Sequence, residues 1–501
     1  MEPEILNTPE YTVEVWDING VFVMDVSDII ATSLRISTRI NAVEDISFSI
    51  DLVQFEKRCA AVGANPRSIL EPYRTDIRIR RNNEYLVGGQ VVQTNINFNQ
   101  RDTNKIEVKC TGYLNYFKDR FVNVVYRDLT YAEIARQLIT ETQSVPNLIS
   151  NAHFYDDIGG WTAIGSGYVA WDALEGRDHK GSLYSSNSTG TTVYAGARYS
   201  IGLLAGVTYT LTYWLKATVA SGNIYVTSQT GVNVGTTAIA NTNWNMYTVS
   251  WTQGLDSTYV DIKSDTGATV NFYLDDVRLT SSLDLPVYYD FGVTLGVDNA
   301  SAFQEDTRQR TYDIQNVKDG IVNLTKLEND NFDFEFTADK VFNVYLRLGS
   351  DKPEVELVYP QNISSIKVNR DASTLANKII GLGSGIGAER LETHAVAYTS
   401  AAAYRIRERT ETFNSVQEQA TLDANTFGKL VVYQDIYEVP AITVDANHLD
   451  INNVKLGDAI SVRVDGSTFV TSIDGMYRIV GMTINVNTNF DEAISLDLEV
   501  W

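Results

Sequence analysis

The sequence of 501 residues predicts a mainly β protein with an α+β part. Two small β-barrel domains are expected to flank an α+β domain. A separate β domain interrupts that α+β domain. Three observations predict this class. Short segments near both ends of the chain alternate polar and apolar side chains, as half-buried strands do. Two segments with helical periodicity, at residues 130–142 and 313–327, lie on either side of residues 147–282. That intervening stretch holds five of the seven tryptophans.

The first predicted barrel covers residues 1–127. Residues 75–80 alternate polar and apolar side chains, and two asparagines separate them from the apolar run at residues 85–92, which is the pattern of a β-hairpin. Residues 106–110 alternate again. Because many short strands with polar turns are typical of a small barrel, we expect one in this part of the chain.

The predicted α+β domain is split into residues 128–146 and 283–345. Thr130 and Glu133 fit a capping box and an apolar stripe follows them, so the first helix is expected to begin at residue 130. The second predicted helix has an apolar face made of Ile314, Val317, Ile321 and Leu324. Since helices from both sides can close one core, we interpret residues 147–282 as a domain inserted into a loop.

The second predicted barrel covers residues 346–501. Residues 456–463 have the alternation of a strand. One clear helix is predicted at residues 415–430, where Ser415 and Glu418 fit a capping box. Its expected buried stripe consists of Val416, Ala420, Ala424 and Phe427.

Composition narrows the function classes. Acidic residues outnumber basic ones 63 to 40, a net charge of −23, and this argues against a protein that grips nucleic acid through phosphate contacts. Plain solubility explains the charge equally well. Cys59 and Cys110 cannot form a disulfide scaffold, and reduced core thiols are favoured over a single bridge. The first residues lack the pattern of a secretory signal, and no apolar run is long enough to span a membrane.

Signatures of catalysis are weak. The four histidines, His153, His179, His394 and His448, are not spaced as metal ligands, and the sequence contains neither a GxSxG elbow nor a Cys–His signature. Carboxylate pairs for glycoside hydrolysis stay open, because 63 acidic residues offer many pairs. The flanking segments lack the βα alternation of a sugar-hydrolase barrel, so the sequence predicts a non-enzymatic protein.

Aromatic side chains in residues 147–282 are the candidate binding groups. Residues 207–216 alternate so that Tyr209 and its apolar neighbours face a core, which leaves Trp214 among threonines on the outer face. The same argument places Tyr225 and Tyr259 outward. Because pyranose rings stack on aromatic plates and bond to polar neighbours, these residues are predicted to bind carbohydrate, with Trp171 as a fourth candidate. Packing under loops or against the flanking domains is the alternative.

Both ends of the insertion carry a resemblance to a known family. Residues 147–154 and 272–280 resemble the first and last strands of the jelly-roll carbohydrate-binding modules attached to glycoside hydrolases. The resemblance implies a β-sandwich of jelly-roll type and a structural calcium ion near its joined termini, held by carboxylate oxygens. The matching positions are Asp156 and Asp276, with Asp275 and Asp178 as alternates.

The flanking segments carry a second resemblance. It rests on an ordered set of motifs in the C-terminal part, at residues 362–370, 375–387, 404–408, 456–458 and 474–479. Together with the order of barrel, α+β domain and barrel, this set resembles the central hub of bacteriophage tail tips and baseplates, the family that includes the T4 baseplate hub. The glycines at residues 381–387 lack the context of a phosphate-binding loop.

The hub resemblance implies a structural protein of the virion tail, made in the host cytoplasm, that forms a homotrimeric ring closing the tail tube. Its implied partners are the distal tail protein ring, the tape measure protein and spike or fibre proteins of the tip. DNA would pass through the ring during ejection without specific binding. The inserted module implies host-surface glycan as a further partner. Two alternatives stay open: a polysaccharide-degrading enzyme with an attached binding module, and a peripheral receptor-binding protein.

Overall fold

The structure is a computed structural model. It describes residues 9–31, 34–98, 104–155, 157–165, 167–177, 180–186, 195–228, 232–264, 270–304, 308–326, 331–385, 387, 390–413, 416, 418–435, 437–445, 453–465, 472–487 and 491–500.

The described residues before the insertion form eight strands and three α-helices. They are β1 (Tyr11–Asp17), β2 (Phe22–Asp25), β3 (Leu34–Arg39), β4 (Asp45–Asp51), α1 (Leu52–Ala61), α2 (Pro66–Ile69), β5 (Thr75–Arg81), β6 (Glu84–Asn97), β7 (Lys105–Thr111), β8 (Phe121–Leu129) and α3 (Tyr131–Thr142). The predicted hairpin is confirmed, with Asn82 and Asn83 both at positive φ in the turn between β5 and β6. The capping box of Thr130 and Glu133 is also confirmed.

The insertion contains ten strands: β9 (Trp161–Ala163), β10 (Tyr168–Asp172), β11 (Ser182–Ser186), β12 (Gly196–Leu203), β13 (Thr208–Ala217), β14 (Asn223–Ser228), β15 (Asn233–Ala238), β16 (Asn245–Thr252), β17 (Ser257–Ser264) and β18 (Phe272–Ser281). They form two five-stranded antiparallel sheets, in the orders β10-β11-β18-β13-β16 and β15-β14-β17-β12-β9. Both sheets contribute to one apolar core. The alternation predicted for β13 is confirmed, because Tyr209, Leu211 and Tyr213 are buried.

The last part contains β19 (Thr294–Asp298), β20 (Arg308–Asn316), α4 (Val317–Leu324), β21 (Asp333–Phe336), β22 (Val341–Tyr345), β23 (Asp351–Tyr359), β24 (Ile363–Asp371), β25 (Lys378–Leu382), β26 (Glu392–Val396), α5 (Tyr398–Tyr404), β27 (Glu408–Thr412), α6 (Gln419–Tyr433), β28 (Tyr437–Asp445), β29 (Ala459–Val464), β30 (Ile473–Val486) and β31 (Glu492–Val500). None of the helices in the described ranges is long and apolar enough to cross a membrane.

The two ends of the chain share one 13-stranded sheet. Its order is β2-β1-β5-β6-β7-β4-β3-β30-β31-β28-β24, with β29 beside β30 and β23 beside β29. A single apolar core joins residues of both ends, for example Ile36 opposite Ile484. The mainly β class is confirmed. Among the described strands no sheet closes into a barrel, and the strands of the two predicted barrels form one continuous sheet instead. The domain boundaries stay a prediction.

A second core combines residues from both sides of the insertion. It contains Leu138 of α3, Ile321 of α4 and Phe334 of β21. The side-chain amide of Gln143 donates to the carbonyl of Val293 and accepts from its N–H, both at 2.9 Å. The chain therefore leaves and re-enters this unit through adjacent, mutually bonded segments.

Two helix predictions are partly wrong. Residues before Val317 belong to β20, and Asn316 caps α4, so Ile314 is an exposed strand residue rather than part of a buried helical face. Helix α6 begins at Gln419, and Ser415 lies outside the described residues. The buried face of α6 consists of Leu422, Thr426 and Leu430, because these contact β25 and β26. Ala420, Ala424 and Phe427 are exposed.

Buried charges join the large sheet to the α+β unit. Lys340 Nζ lies 2.6 Å from Asp76 Oδ2, and both side chains are almost fully buried. The hydroxyl of Tyr116 also donates to Asp76, at 2.6 Å. Burial raises the pKa of Asp76, while the charge of Lys340 opposes that shift. Cys59 and Cys110 are free and buried, which confirms the prediction of reduced thiols.

We expect Lys340→Met to destabilise this unit by about 3–5 kcal/mol, because the substitution leaves the Asp76 carboxylate buried without its cation. Scanning calorimetry with urea titration measures the loss. The control is Arg74→Met, which removes an exposed ion pair with Glu71 and should cost less than about 1 kcal/mol. Adding Asp76→Asn should recover part of the loss. Equal stability of Lys340→Met and Arg74→Met would contradict the role assigned to the pair.

Candidate functional site

The predicted carbohydrate-binding residues lie on different sides of the β-sandwich. In β14 and β17, Val226, Val260 and Ile262 are buried in the core, so the residues between them face outward. This places Tyr225 and Tyr259 on one outer surface, which we call the Tyr225 face. Trp214 belongs to β13 of the opposite sheet and lies on the other outer surface, which we call the Trp214 face. One flat plate therefore cannot contain all three rings.

A fixed cluster of charged and aromatic groups marks the Tyr225 face. The Arg198 guanidinium carbon lies 3.7 Å from the centre of the Tyr259 ring. Its Nε and Nη2 donate to the two carboxylate oxygens of Asp261 at 2.7 and 2.9 Å. The Asp261 side chain is only 4% exposed, whereas that of Arg198 is 36% exposed. This bidentate bond uses two of the five N–H groups of Arg198 and fixes the plane of the guanidinium.

Tyr225 lies at the other end of the same face. It pairs with Lys263 of β17 and Thr236 of β15. Since Tyr259 lies four residues from Lys263 along β17, the two tyrosines are offset by about 13 Å along the strand direction, at about 3.3 Å per residue. Thr227, which donates to Asp261 at 3.3 Å, lies between them. The face is therefore a strip longer than one pyranose ring, with a tyrosine at each end. Thr227 and Asp261 between them are buried, and the partly exposed Arg198 guanidinium presents the hydrogen-bonding groups.

The Trp214 ring is covered by its own chain. The Arg177 guanidinium carbon lies 4.4 Å from the ring centre, and Arg177 Nε lies 3.2 Å from Asp276 Oδ2. On the same face, Lys216 Nζ contacts Glu175 at 2.6 Å. The segment that carries Glu175 and Arg177 thus lies over this surface. A sugar could stack on Trp214 only on the ring face that Arg177 leaves open.

Trp171 has a different position again. It pairs with Leu183, a core residue, and so occupies the core side of edge strand β10 rather than the outer face. Its indole Nε1 donates to the carbonyl of Phe154 at 2.7 Å. Trp171 is 39% exposed. This geometry ties the edge strand to the first segment of the insertion.

The residues predicted to hold calcium form an ion-pair cluster. Asp156 and Asp178 lie outside the described residues. Asp276 contacts His153 Nδ1 through one carboxylate oxygen and Arg177 Nε through the other. Within the described ranges no group of three or more metal-ligating side chains is present. The Asp276 carboxylate is thus occupied by His153 and Arg177 of the chain itself, an arrangement that fits an ion pair better than a calcium site. Calcium stays a prediction.

Burial controls ionisation in this cluster. Asp275 is fully buried and accepts the backbone N–H groups of Arg177 at 2.9 Å and Asp276 at 2.8 Å. Burial raises the pKa of Asp275 to about 7. Burial lowers the pKa of His153, but the hydrogen bond and charge of Asp276 outweigh this and raise it above the ordinary value. The pKa of each group is therefore shifted in the direction that favours its protonated form.

Sequence reasoning missed Arg198 and Arg177, and it did not predict that Asp261 bonds to Arg198. Arg198 and Asp261 are 63 positions apart, and only the pairing of β12 with β17 brings them together. No local motif signals such a contact. The alternation of β17 did indicate that Asp261 shares a face with Tyr259, so the polar half of the cluster was accessible to sequence analysis.

Comparison with known proteins relates the C-terminal part to phage tails. Residues 351–498 match a family model described as prophage endopeptidase tail. No curated protein matches the chain significantly.

The chain is also similar to solved structures. The 43 kDa tail protein of prophage MuSo2 from Shewanella oneidensis shares 8% identity at a TM-score of 0.49, with 98% of each chain covered. A tail protein from Neisseria meningitidis MC58 shares 9% identity at a TM-score of 0.48, covering 98% of this chain and 96% of that one. The CBM22-2 xylan-binding domain from Paenibacillus barcinonensis Xyn10C shares 19% identity at a TM-score of 0.23, covering 26% of this chain and 98% of that domain.

We expect Trp171→Phe to lower the stability of the insertion by about 1 kcal/mol, because phenylalanine keeps the ring but cannot donate to the Phe154 carbonyl. Thermal unfolding measures the change, with Tyr168→Phe on the same strand as the control. An unchanged unfolding temperature together with weaker glycan binding would assign Trp171 to the ligand instead.

Proposed function

We propose that the protein is a structural, non-enzymatic component of a phage tail, and within it the hub of the tail tip or baseplate. The observation that carries the proposal is the match of residues 351–498 to the prophage tail family model. The sheet that contains β23, β24 and β28 to β31 of this region also contains β1 to β7, so the tail-like part and the N-terminal strands belong to one folded body. The proposal therefore covers both flanks of the insertion.

In this proposal three copies form a ring that closes the tail tube and joins it to the tip. The ring contacts the distal tail protein ring, the tape measure protein and spike or fibre proteins. DNA passes through the ring during ejection. The net charge of −23 supports this last point, because like charge on a wall keeps DNA from adhering to it.

The inserted sandwich has the second role, which is binding of host-surface glycan through the Tyr225 face. Two tyrosines stack on sugar rings, and the Arg198 guanidinium, oriented by buried Asp261, supplies hydrogen-bond donors beside Tyr259. The length of the strip favours an oligosaccharide chain over a single terminal sugar. Each contact is weak, and three copies on one ring raise the overall affinity through multivalency.

A catalytic role is the competing function. The description of the matched family includes the word endopeptidase. The 63 acidic residues also offer many carboxylate pairs that could support polysaccharide hydrolysis. In the matched region His394 is exposed and lies 3.8 Å from Glu392, an arrangement that surface residues commonly show. Release of peptides or reducing sugars from host cell walls by the purified protein would favour an enzyme.

Electron cryo-microscopy of the intact particle tests the structural role. We expect threefold density on the tail axis, with three outward lobes of the size of the insertion. A deletion of residues 147–282, bridged by a short linker, should still assemble, because Gln143 and Val293 already hold the two ends together. Density only at the particle periphery would favour a receptor-binding protein, and failure of the deletion variant to assemble would make the insertion architectural.

Glycan arrays followed by calorimetry test the Tyr225 face. We expect Tyr225→Ala and Tyr259→Ala each to weaken oligosaccharide binding about two- to tenfold, since an aromatic contact contributes about 0.5–1.5 kcal/mol. Tyr168→Ala, an exposed tyrosine elsewhere on the sandwich, is the control. Trp214→Ala should have the smaller effect, because Arg177 covers part of its ring. A larger loss with Trp214→Ala would move the site to the Trp214 face.

A further inference from the structure

A continuous exposed segment connects α5 to β27. Residues 402–410 are all exposed. Ile406 is 52% exposed, and Tyr398 at the start of α5 is 80% exposed. Arg405 and Arg407 flank Ile406. We call residues 404–407 the arginine turn. Exposed tyrosine, arginine and isoleucine in one short segment are the composition of a protein interface rather than of an ordinary solvated loop.

The arginine turn is held from beneath by one buried side chain. Asn377 is fully buried, and its Nδ2 donates to the carbonyl of Arg405 at 2.7 Å. Its Oδ1 accepts the N–H of Arg407 at 2.8 Å. The backbone N–H of Asn377 also donates to the carbonyl of Arg407, at 3.0 Å. Because both sides of Ile406 are bonded to the same residue, the turn is presented in one conformation, which lowers the entropy cost of binding.

The backbone of the turn is strained at Arg405. Its φ of 64° ends α5 in the left-handed region, which costs a residue with a side chain about 1–3 kcal/mol. Glycine would adopt this conformation without that cost, yet the position carries an exposed arginine. Strain of this kind persists where the surroundings enforce it, as Asn377 does here, and it is concentrated at binding sites.

The unit that carries the turn has a small core of its own. Within the described residues its buried apolar cluster consists of Ala376, Ile379 and Leu430, and Leu422 of α6 is buried as well. Phe427 and Val431 of α6 remain exposed at 61% and 52%. Strand β27 is at the edge of its sheet, and four of its five residues are exposed. Apolar surface of this extent on so small a core indicates that a partner covers part of it.

We infer that the arginine turn is a contact through which one copy of the chain binds the acidic surface of a second copy. Within the described ranges neither Arg405 nor Arg407 forms an ion pair, whereas the next arginine, Arg409, pairs with Glu411 at 2.6 Å. The chain has 23 more acidic than basic residues, so a second copy supplies carboxylates for both arginines. Exposed Ile406 between them suits a protein partner and gains nothing from phosphates.

This inference rests on the proposed assembly of copies into a ring and names one of its contact surfaces. Charge reversal at two arginines tests it. We expect R405E/R407E to weaken self-association by about tenfold or more, measured by sedimentation equilibrium at several protein and salt concentrations. R405Q/R407Q, which removes the charge without reversing it, should give an intermediate loss. Circular dichroism and the unfolding temperature establish that both variants are folded.

The matched control is R35E/R67E, which changes the net charge by the same amount at two exposed arginines in the N-terminal part. It should associate like the wild-type protein. Unchanged association of R405E/R407E would overturn the inference while leaving a ring intact, and a wild-type protein that stays monomeric at every concentration would also overturn it. Tail-tip density from microscopy decides the proposed function separately.

Discussion

The pairing of β3 with β30 is the constraint on which the remaining structure depends. It joins strands more than 430 residues apart in sequence, with Leu34 opposite Val486 and Ile36 opposite Ile484. The ion pair between Arg81 and Glu492, at 2.7 Å and almost fully buried, fastens the same two ends. Once the ends close one sheet and one core, every segment between them must begin and finish on that sheet. The α+β unit is therefore an excursion from this sheet, and the insertion is an excursion from the α+β unit.

This arrangement explains how a sandwich of ten strands is accommodated without disturbing the flanking fold. Asn147 donates to the carbonyl of Val277 at 2.8 Å, and its side-chain oxygen accepts the N–H of Leu279 at 2.9 Å. The first and last segments of the insertion are thus bonded to each other before they reach the α+β unit. Because entry and exit are adjacent, the insertion replaces a short loop and adds little strain.

The sequence predicted those features that local physics determines. The alternation of β13, the turn at Asn82 and the capping box at Thr130 follow from residues close together in the chain, and the structure has all three. Helix α6 shows where such reasoning ends. Its periodicity predicted a buried stripe that included Phe427, whereas packing against β25 and β26 buries Leu422 and Leu430 instead. Long-range pairing likewise decided that the two ends form one sheet.

Sequence patterns also could not predict the surroundings of the aromatic residues at the candidate site. Alternation correctly places an aromatic ring on an outer face, but it does not reveal what covers the ring. Trp214 and Tyr259 each carry a guanidinium from a distant residue, at 4.4 and 3.7 Å. The two cases differ in what holds the cation. Arg198 is fixed on a strand by the buried carboxylate of Asp261 and presents remaining donors beside the ring, whereas Arg177 belongs to a loop that lies over the face. Arg198 therefore extends the surface beside Tyr259, whereas Arg177 occupies the surface over Trp214. For this reason the Tyr225 face is the better candidate.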